Sequence, residues 1–224
     1  MSTTTAPKNF LLVIGLILVA AASRLLPHWP NFVPVGAMAL FGAAALPKRW
    51  LAVIVPVLAF YLSDLALNNT LYAEYYEGFH WGMNYWTTGA IILMVLLGMG
   101  FLRNVKFSWM KVGGAAVSAT LVFFLVTNFG VWASGMMYPK SGAGLLAAYA
   151  AGLPFLVNSL LANSIFSGVL FGIARYSGVT VGKKQQLITK SSRTVGFQDP
   201  NVFLGPGPGN AHDQGDGLYN ELLF

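Results

Sequence analysis

Residues Trp50 to Leu67 read WLAVIVPVLAFYLSDLAL, an apolar run with one charged side chain, Asp64. About 20 helical residues, at about 1.5 Å each, cross the ~30 Å hydrocarbon core of a bilayer, so this run predicts a membrane-spanning helix. Five further apolar stretches surround it: Phe10 to Ser23, Phe32 to Leu46, Trp86 to Leu102, Val112 to Trp132 and Leu153 to Ile173. The last four of the six are long enough to span a membrane, whereas the first two are short.

The composition agrees with a membrane domain. Of the 224 residues, 56% are hydrophobic and 9% are charged, whereas soluble proteins carry about 25% charged residues. So few charged side chains cannot cover a soluble globule, which excludes an ordinary cytosolic enzyme. We predict an all-α polytopic bundle of about six transmembrane helices. Cysteine is absent, which excludes disulfides, thiolate metal sites and cysteine nucleophiles.

The first two apolar stretches leave three arrangements open. We favour two spanning helices, with Arg24 reaching toward the interface. The alternative is a re-entrant hairpin whose apex contains Pro27, Pro30 and Pro34, which forbid a continuous helix. A signal peptide is the third arrangement, because Lys8, a short apolar run and the alanines at 20–22 resemble its three regions.

The distribution of basic residues predicts the orientation. Eleven of the thirteen Lys and Arg residues lie in the N-terminal segment, after the second and fourth stretches, or after the sixth. The other two, Arg24 and Lys140, lie in the alternate connections. Because cytoplasmic loops retain Lys and Arg, we expect both termini of this multi-pass protein in the cytoplasm. No basic patch with interleaved aromatics remains to predict nucleic-acid binding.

The C-terminal segment, residues 182–224, differs from the transmembrane domain, residues 1–181. It is basic at first, then acidic, around the Gly- and Pro-rich run 205–210. Such a composition predicts a cytoplasmic tail that is disordered unless bound to a partner. The favoured interpretation is a solvated tail near lipid headgroups. The alternative is docking on another membrane subunit through apolar residues at its end: Leu218, Tyr219, Leu222, Leu223 and Phe224.

Polar residues concentrate in the connections that this orientation places outside. The candidate ligand-binding residues there are Arg24, His28, Asn31, Asp64, Asn68, Glu74, Glu77 and His80. An ionisable residue at membrane depth is a functional candidate, and Arg24 is the best partner for Asp64. The alternative is an ion pair that only joins the first helix to the third.

Residues 71–86 read LYAEYYEGFHWGMNYW, a segment dense in aromatic residues. Tyr and Trp are typical of membrane interfaces, which is the favoured interpretation. The alternative is a lid in which rings such as Trp81 stack on a ligand and Glu74 or Glu77 supplies charge.

The sixth stretch carries a polar stripe of Ser159, Asn163 and Ser167, spaced four residues apart and preceded by Asn158. Hydrogen bonding between helices is the favoured interpretation of this stripe. Asn158 and Asn163 are additional ligand-binding candidates. On the second stretch, Gly36, Ala39 and Ala43 share one face that would admit another helix closely.

Catalytic motifs are largely missing from the sequence. It contains no His-Glu-x-x-His, Gly-x-Ser-x-Gly or phosphate-binding Gly-x-x-x-x-Gly-Lys motif. We therefore expect no catalytic residues, no enzyme activity, no cofactor and no bound metal. A metal-dependent membrane enzyme that uses His28, Glu74, Glu77 and His80 remains a remote alternative.

The run Arg24-Leu-Leu-Pro-His-Trp-Pro-Asn-Phe-Val-Pro-Val-Gly-Ala, with Ala-Leu-Phe-Gly-Ala and the segment from Pro56 to Asp64, resembles an uncharacterised family of bacterial six-helix membrane proteins. That family is distantly similar to S components of energy-coupling factor (ECF) transporters. The resemblance covers roughly Phe10 to Tyr176. It implies a multi-pass protein of the bacterial cytoplasmic (inner) membrane, with a ligand site near the outer face. S components carry Ala-x-x-x-Ala in the first helix for docking, whereas here this spacing occurs at Ala39 and Ala43 and at Ala115 and Ala119.

Two functional hypotheses follow. The leading one is a transporter-like membrane subunit that binds a small molecule through the outer polar residues, among membrane lipids. The alternative is a non-catalytic accessory or structural subunit of a larger membrane complex, held through its C-terminal tail.

Overall fold

The computed structural model describes residues 5–182, which are helical and contain no strand. The helices are α1 (Thr5–Ala22), α2 (Val35–Ala45), α3 (Arg49–Asn69), α4 (Tyr85–Gly98), α5 (Trp109–Ser134) and α6 (Gly142–Tyr176). Short 3₁₀ turns at Ser23–Leu25 and Ala73–Tyr75 follow α1 and α3, and a π-helical turn at Met99–Arg103 extends α4. The predicted C-terminal tail lies outside the described residues, except for Gly182.

Four segments are long and apolar enough to cross a membrane: Arg49–Asn69, Tyr85–Arg103, Trp109–Ser134 and Gly142–Tyr176. This confirms the prediction that the last four apolar stretches qualify. The outer faces of these helices carry exposed leucines such as Leu62, Leu96, Leu125 and Leu161. Such exposed apolar faces fit a surface that contacts lipid rather than water.

The sixth helix is longer than the sequence suggests. It begins at Gly142, after Ser141 caps it by accepting a hydrogen bond from Gly144 N at 3.1 Å, and it continues through Pro154. The helix therefore begins 11 residues before the predicted apolar stretch Leu153 to Ile173. Gly135, with φ 69°, ends α5 in the left-handed conformation that glycine adopts without strain.

The short helix α2 lies at the centre of the bundle. Every residue from Val35 to Ala44 is buried. Its sequence, VGAMALFGAAA, is apolar on all sides, as a helix surrounded by protein requires. Small residues permit close contacts around it. A Cβ at Gly36 would lie 2.7 Å from Asn163 Nδ2, and a Cβ at Gly98 would lie 2.8 Å from Ala43 Cβ.

Both ends of α2 receive side chains from other helices. At its N-terminus, Ala37 N donates to Asn163 Oδ1 at 3.1 Å. At its C-terminus, Arg103 donates to Ala43 O at 3.1 Å and to Pro47 O at 2.7 Å. A buried helix needs such partners because its first N–H groups and last carbonyls have none within the helix. The positive charge of Arg103 also complements the dipole of α2.

The connection between α1 and α2 reaches only halfway along α6. Pro30 O accepts from Asn158 Nδ2 at 2.9 Å, and Asn31 O accepts from Ser159 Oγ at 3.2 Å. With 11 residues, α2 is about 16 Å long, against about 52 Å for the 35 residues of α6. At this length α2 is shorter than a ~30 Å hydrocarbon core, and it is one of the two shorter apolar helices of the bundle. The spanning and re-entrant arrangements both stay predictions.

Candidate ligand-binding cavity

A cavity of about 760 Å³ lies between the first turn of α4, the C-terminal half of α5 and the N-terminal half of α6. It lies beyond the N-terminus of α2, where that helix no longer fills the centre of the bundle. The residues that line it are Asn31, Asn84, Trp86, Thr87, Thr120, Phe123, Phe124, Thr127, Asn128, Gly130, Val131, Ser134, Met136, Met137, Tyr138, Ala148, Ala151, Gly152, Phe155, Leu156 and Ser159.

One face of each long helix forms the wall of the cavity. The lining residues of α6 begin at Ala148 and recur at intervals of three and four residues to Ser159, and those of α5 follow a similar pattern from Thr120 to Ser134. Residues at this spacing share one helix face. The two helices are joined beside the cavity by Tyr149, whose hydroxyl donates to Leu125 O at 2.9 Å.

The floor of the cavity is polar and is connected to α2. Asn31 adopts a left-handed conformation, φ 58°, which asparagine tolerates better than most residues, and its carbonyl accepts from Ser159. Thr120 Oγ1 accepts from Asn163 Nδ2 at 2.9 Å, and Asn163 in turn caps α2. The cavity floor and the N-terminus of the central helix thus belong to one hydrogen-bond network.

Aromatic rings and methionines form most of the apolar lining. Trp86 contacts Gly130 so closely that a Cβ there would collide with its ring. Three phenylalanines, at 123, 124 and 155, line the helical walls. Met136 and Met137, in the connection between α5 and α6, are strongly exposed and lie where the cavity meets the surface. Flexible thioethers of this kind adapt to ligands of varied shape.

No acidic or basic side chain is among these lining residues. The polar groups are hydroxyls and amides, and those on α5 and α6 belong to Thr120, Thr127, Asn128, Ser134 and Ser159. Isolated charges are costly to remove from water, whereas hydroxyls and amides are readily accommodated in a mostly apolar site. The lining is therefore electrically neutral.

The predicted pair of Arg24 and Asp64 is present, at 3.0 Å between Nη2 and Oδ1. Arg24 also donates to Phe60 O at 3.2 Å and to Ser63 Oγ, and its guanidinium lies 4.2 Å from the centre of the Phe60 ring. The side chain of Arg24 is 8% exposed and that of Asp64 is 23% exposed. This pair joins the end of α1 to α3, and neither residue lines the cavity.

The other outer candidates do not converge on one point. His28 is exposed, with its Nδ1 2.6 Å from Leu26 O, while Asn68 is half-buried on α3. Glu74 and Glu77 are exposed in the connection between α3 and α4. Within residues 5–182, no group of three His, Asp or Glu side chains is placed to hold a metal ion.

The aromatic connection 71–86 is attached to α3. Asn69 holds His80 through two hydrogen bonds, from Nδ2 to His80 O at 3.0 Å and from His80 N to Oδ1 at 2.7 Å. Tyr61 donates to Trp81 O at 3.1 Å, and the rings of Tyr76 and His80 stack at 3.9 Å. Trp81 is 68% exposed, and only Asn84 and Trp86 of this connection line the cavity.

Two of the three residues of the polar stripe on α6, Ser159 and Asn163, make the contacts between elements that its favoured interpretation predicts, whereas Ser167 Oγ is buried without a hydrogen-bond partner among the described residues. Asn158 and Ser159 bind the α1–α2 connection, and Asn163 joins α2 to α5. Of the candidate ligand-binding residues, Asn31 alone lines the cavity.

Sequence reasoning missed the cavity wall on α5. Thr120, Thr127 and Ser134 recur every seven residues on this helix, which places them on one face, two turns apart. That spacing, together with Asn128, was the signal that a polar face existed. It could not indicate whether the face met lipid, another helix or an open space.

The model of a family described as "Family of unknown function (DUF6580)" matches residues 4–185. No curated protein and no solved structure matches the chain.

Proposed function

Since the chain belongs to DUF6580, a family of unknown function, we propose its function from the cavity: it is a non-catalytic membrane subunit that binds a small molecule between α4, α5 and α6. The observation that carries this proposal is the cavity of about 760 Å³ with its neutral polar groups. Ligand pockets measure about 300–1,000 Å³ and combine an apolar lining with a few polar groups. The cavity has both properties.

The position of the cavity suggests access from outside the cell. It lies at the end of the bundle that carries the connections after α1, α3 and α5. The distribution of Lys and Arg predicts that this end faces outward in a bacterial inner membrane. A molecule arriving from that side would enter past Met136 and Met137.

A transporter-like role is the finer part of the proposal. It rests on the resemblance to ECF S components and on a site at the predicted outer end. The bundle differs from that family in its docking motif, because Ala39, Ala43, Ala115 and Ala119 are all fully buried. A coupling subunit would therefore have to contact other surfaces of this protein.

The test of binding compares two neighbouring alanines of α6. Both alanines are exposed, but only Ala151 lines the cavity. The full chain and its Ala151→Phe and Ala150→Phe variants would be purified in nanodiscs from native membranes, and the released small molecules identified by mass spectrometry. We expect a molecule that is depleted at least about tenfold, equivalent to about 1.4 kcal/mol, in Ala151→Phe alone. Equal small-molecule content in all three proteins would contradict the proposal.

A further inference from the structure

We infer that the ligand of this cavity is an uncharged, ring-bearing molecule that donates hydrogen bonds to the wall formed by α5 and α6. This inference rests on the proposed function and names the chemical class of its ligand. It follows from how the polar groups of the wall are already engaged.

Several hydroxyl groups on the wall have already used their only proton. Thr127 donates to Phe123 O at 2.8 Å, Ser134 donates to Val131 O at 2.7 Å, and Ser159 donates to Asn31 O at 3.2 Å. A carbonyl oxygen can only accept, so the direction of each bond is certain. A hydroxyl has one proton and two lone pairs. These side chains therefore retain acceptor capacity for a ligand, but no proton to donate.

Asn128 adds another acceptor to the same wall. Its Nδ2 donates to Phe124 O at 2.8 Å, which assigns the other amide atom, Oδ1, as an acceptor. Gly152 leaves room for this oxygen, because a Cβ there would lie 2.5 Å from it. The Asn128 amide retains one N–H group, whereas the three hydroxyls retain none. A carboxylate carries only acceptors at neutral pH, so most polar groups of this wall cannot donate to it. The wall therefore favours a ligand that donates hydrogen bonds over an anion.

An organic cation could donate hydrogen bonds to these acceptors, but its positive charge would have no negative partner in the cavity. No Asp or Glu lines the cavity, so a buried ammonium would lose its hydration without gaining an opposite charge. Contact with the aromatic rings would recover only about 0.5–2 kcal/mol of that cost. A neutral group that combines N–H with a carbonyl, such as a carboxamide, avoids this cost. Asn84 Oδ1 accepts from Thr87 N at 3.0 Å, so the Asn84 amide N–H groups are donors for the carbonyl of such a ligand.

The inference that the ligand carries a ring rests on the aromatic side chains of the lining. Trp86, Phe123, Phe124 and Phe155 bring four aromatic side chains to a single cavity. Aromatic rings favour flat partners in offset-stacked or edge-to-face arrangements, which contribute about 0.5–1.5 kcal/mol beyond the burial of area. An acyl chain would gain burial but neither these contacts nor the hydrogen bonds of the wall.

The test uses three probes of the same ring and similar size: naphthalene-2-carboxamide, naphthalene-2-carboxylate and 2-naphthylmethylammonium. Binding to the full chain in nanodiscs would be measured by saturation-transfer NMR and titration, with Ala151→Phe and Ala150→Phe as paired variants. We expect the carboxamide to bind at least about fivefold more tightly than either charged probe, and Ala151→Phe alone to abolish its binding.

Three results would overturn the inference. The first is tighter binding of the carboxylate in an Ala151-dependent manner, and the second is tighter binding of the ammonium. Either would leave the proposed function in place, since the cavity would still bind a small molecule. The third is the absence of Ala151-dependent binding for all three probes. The mass-spectrometric comparison then decides separately whether the cavity binds another kind of molecule.

Discussion

Asn163 Oδ1 accepts a hydrogen bond from Ala37 N at 3.1 Å, so a residue midway along α6 caps a helix that lies inside the bundle. The same amide donates to Thr120 Oγ1 at 2.9 Å and thereby joins α2, α5 and α6. Because Asn163 and Thr120 are both buried, water cannot replace either bond.

Replacing Asn163 by Leu should therefore destabilise the bundle. The change removes the cap of α2 and leaves the N–H of Ala37 without its partner. Unsatisfied buried groups cost about 1–3 kcal/mol each, so we expect the free energy of unfolding to fall by about 2–4 kcal/mol. Chemical or thermal unfolding in detergent measures this. Ser164→Leu, at the adjacent exposed position, is the matched control. Equal stability of the two variants would contradict the assigned role of Asn163.

Gly36→Ala tests the close approach of α2 and α6. A Cβ at this position would lie 2.7 Å from Asn163 Nδ2, whereas nothing lies within 4 Å of one at Gly168. Overpacking a well-packed contact costs about 1–3 kcal/mol, while Gly→Ala in an open helical site stabilises by up to about 1 kcal/mol. We expect opposite changes in unfolding temperature for Gly36→Ala and Gly168→Ala. A stabilised Gly36→Ala protein would contradict the close approach of α2 and α6 at this position.

The ion pair of Arg24 and Asp64 should contribute to stability and not to ligand binding. Removal of one partner leaves a partly buried charge, which costs about 3–5 kcal/mol in fully buried pairs and less here, because Asp64 is 23% exposed. We expect Arg24→Met to lower the unfolding temperature, and the added Asp64→Asn change to recover part of the loss. Titration of a co-purified ligand with the folded double variant measures binding. A large loss of affinity would instead place the pair in the ligand site.

Thr127→Val tests the acceptor wall of the cavity without changing its shape. Thr127 lines the cavity and Thr88 does not, although the hydroxyl of each donates to the carbonyl four residues earlier. Loss of one net hydrogen bond costs about 0.5–1.5 kcal/mol, so we expect affinity for the carboxamide probe to fall about 2- to 12-fold. Thr88→Val should leave this affinity unchanged. Equal effects of the two variants would contradict a contact between Thr127 and the ligand.

Removal of residues 197–224 separates the two functional hypotheses. Every residue that lines the cavity lies between Asn31 and Ser159, so ligand binding by the truncated chain should match that of the full chain. The accessory-subunit hypothesis expects the truncated protein to be released from a larger complex on a native gel. Unchanged migration of that complex would exclude the tail as its attachment, and loss of ligand binding would contradict the position of the site.

Hydropathy alone predicted much of the fold. The lengths of the apolar stretches, of which Trp50 to Leu67 is one, identify four helices that can span a bilayer, because the thickness of the hydrocarbon core sets a minimum length. The same criterion marks the first two stretches as short. The pairing of Arg24 with Asp64 was also predicted, because an ionisable side chain in an apolar helix requires a partner.

The tertiary structure decided which residues surround a cavity and which contact lipid. In a bilayer, both the interior and the lipid-facing surface of a bundle are apolar, so the sequence of α5 does not reveal how that helix is rotated. Thr127 and Asn128 became cavity residues only through the packing of α5 against α6 and the end of α2 at mid-bundle. The sequence by itself determined the length and apolarity of the helices, whereas their rotation and depth, which create the cavity, depended on contacts between distant residues.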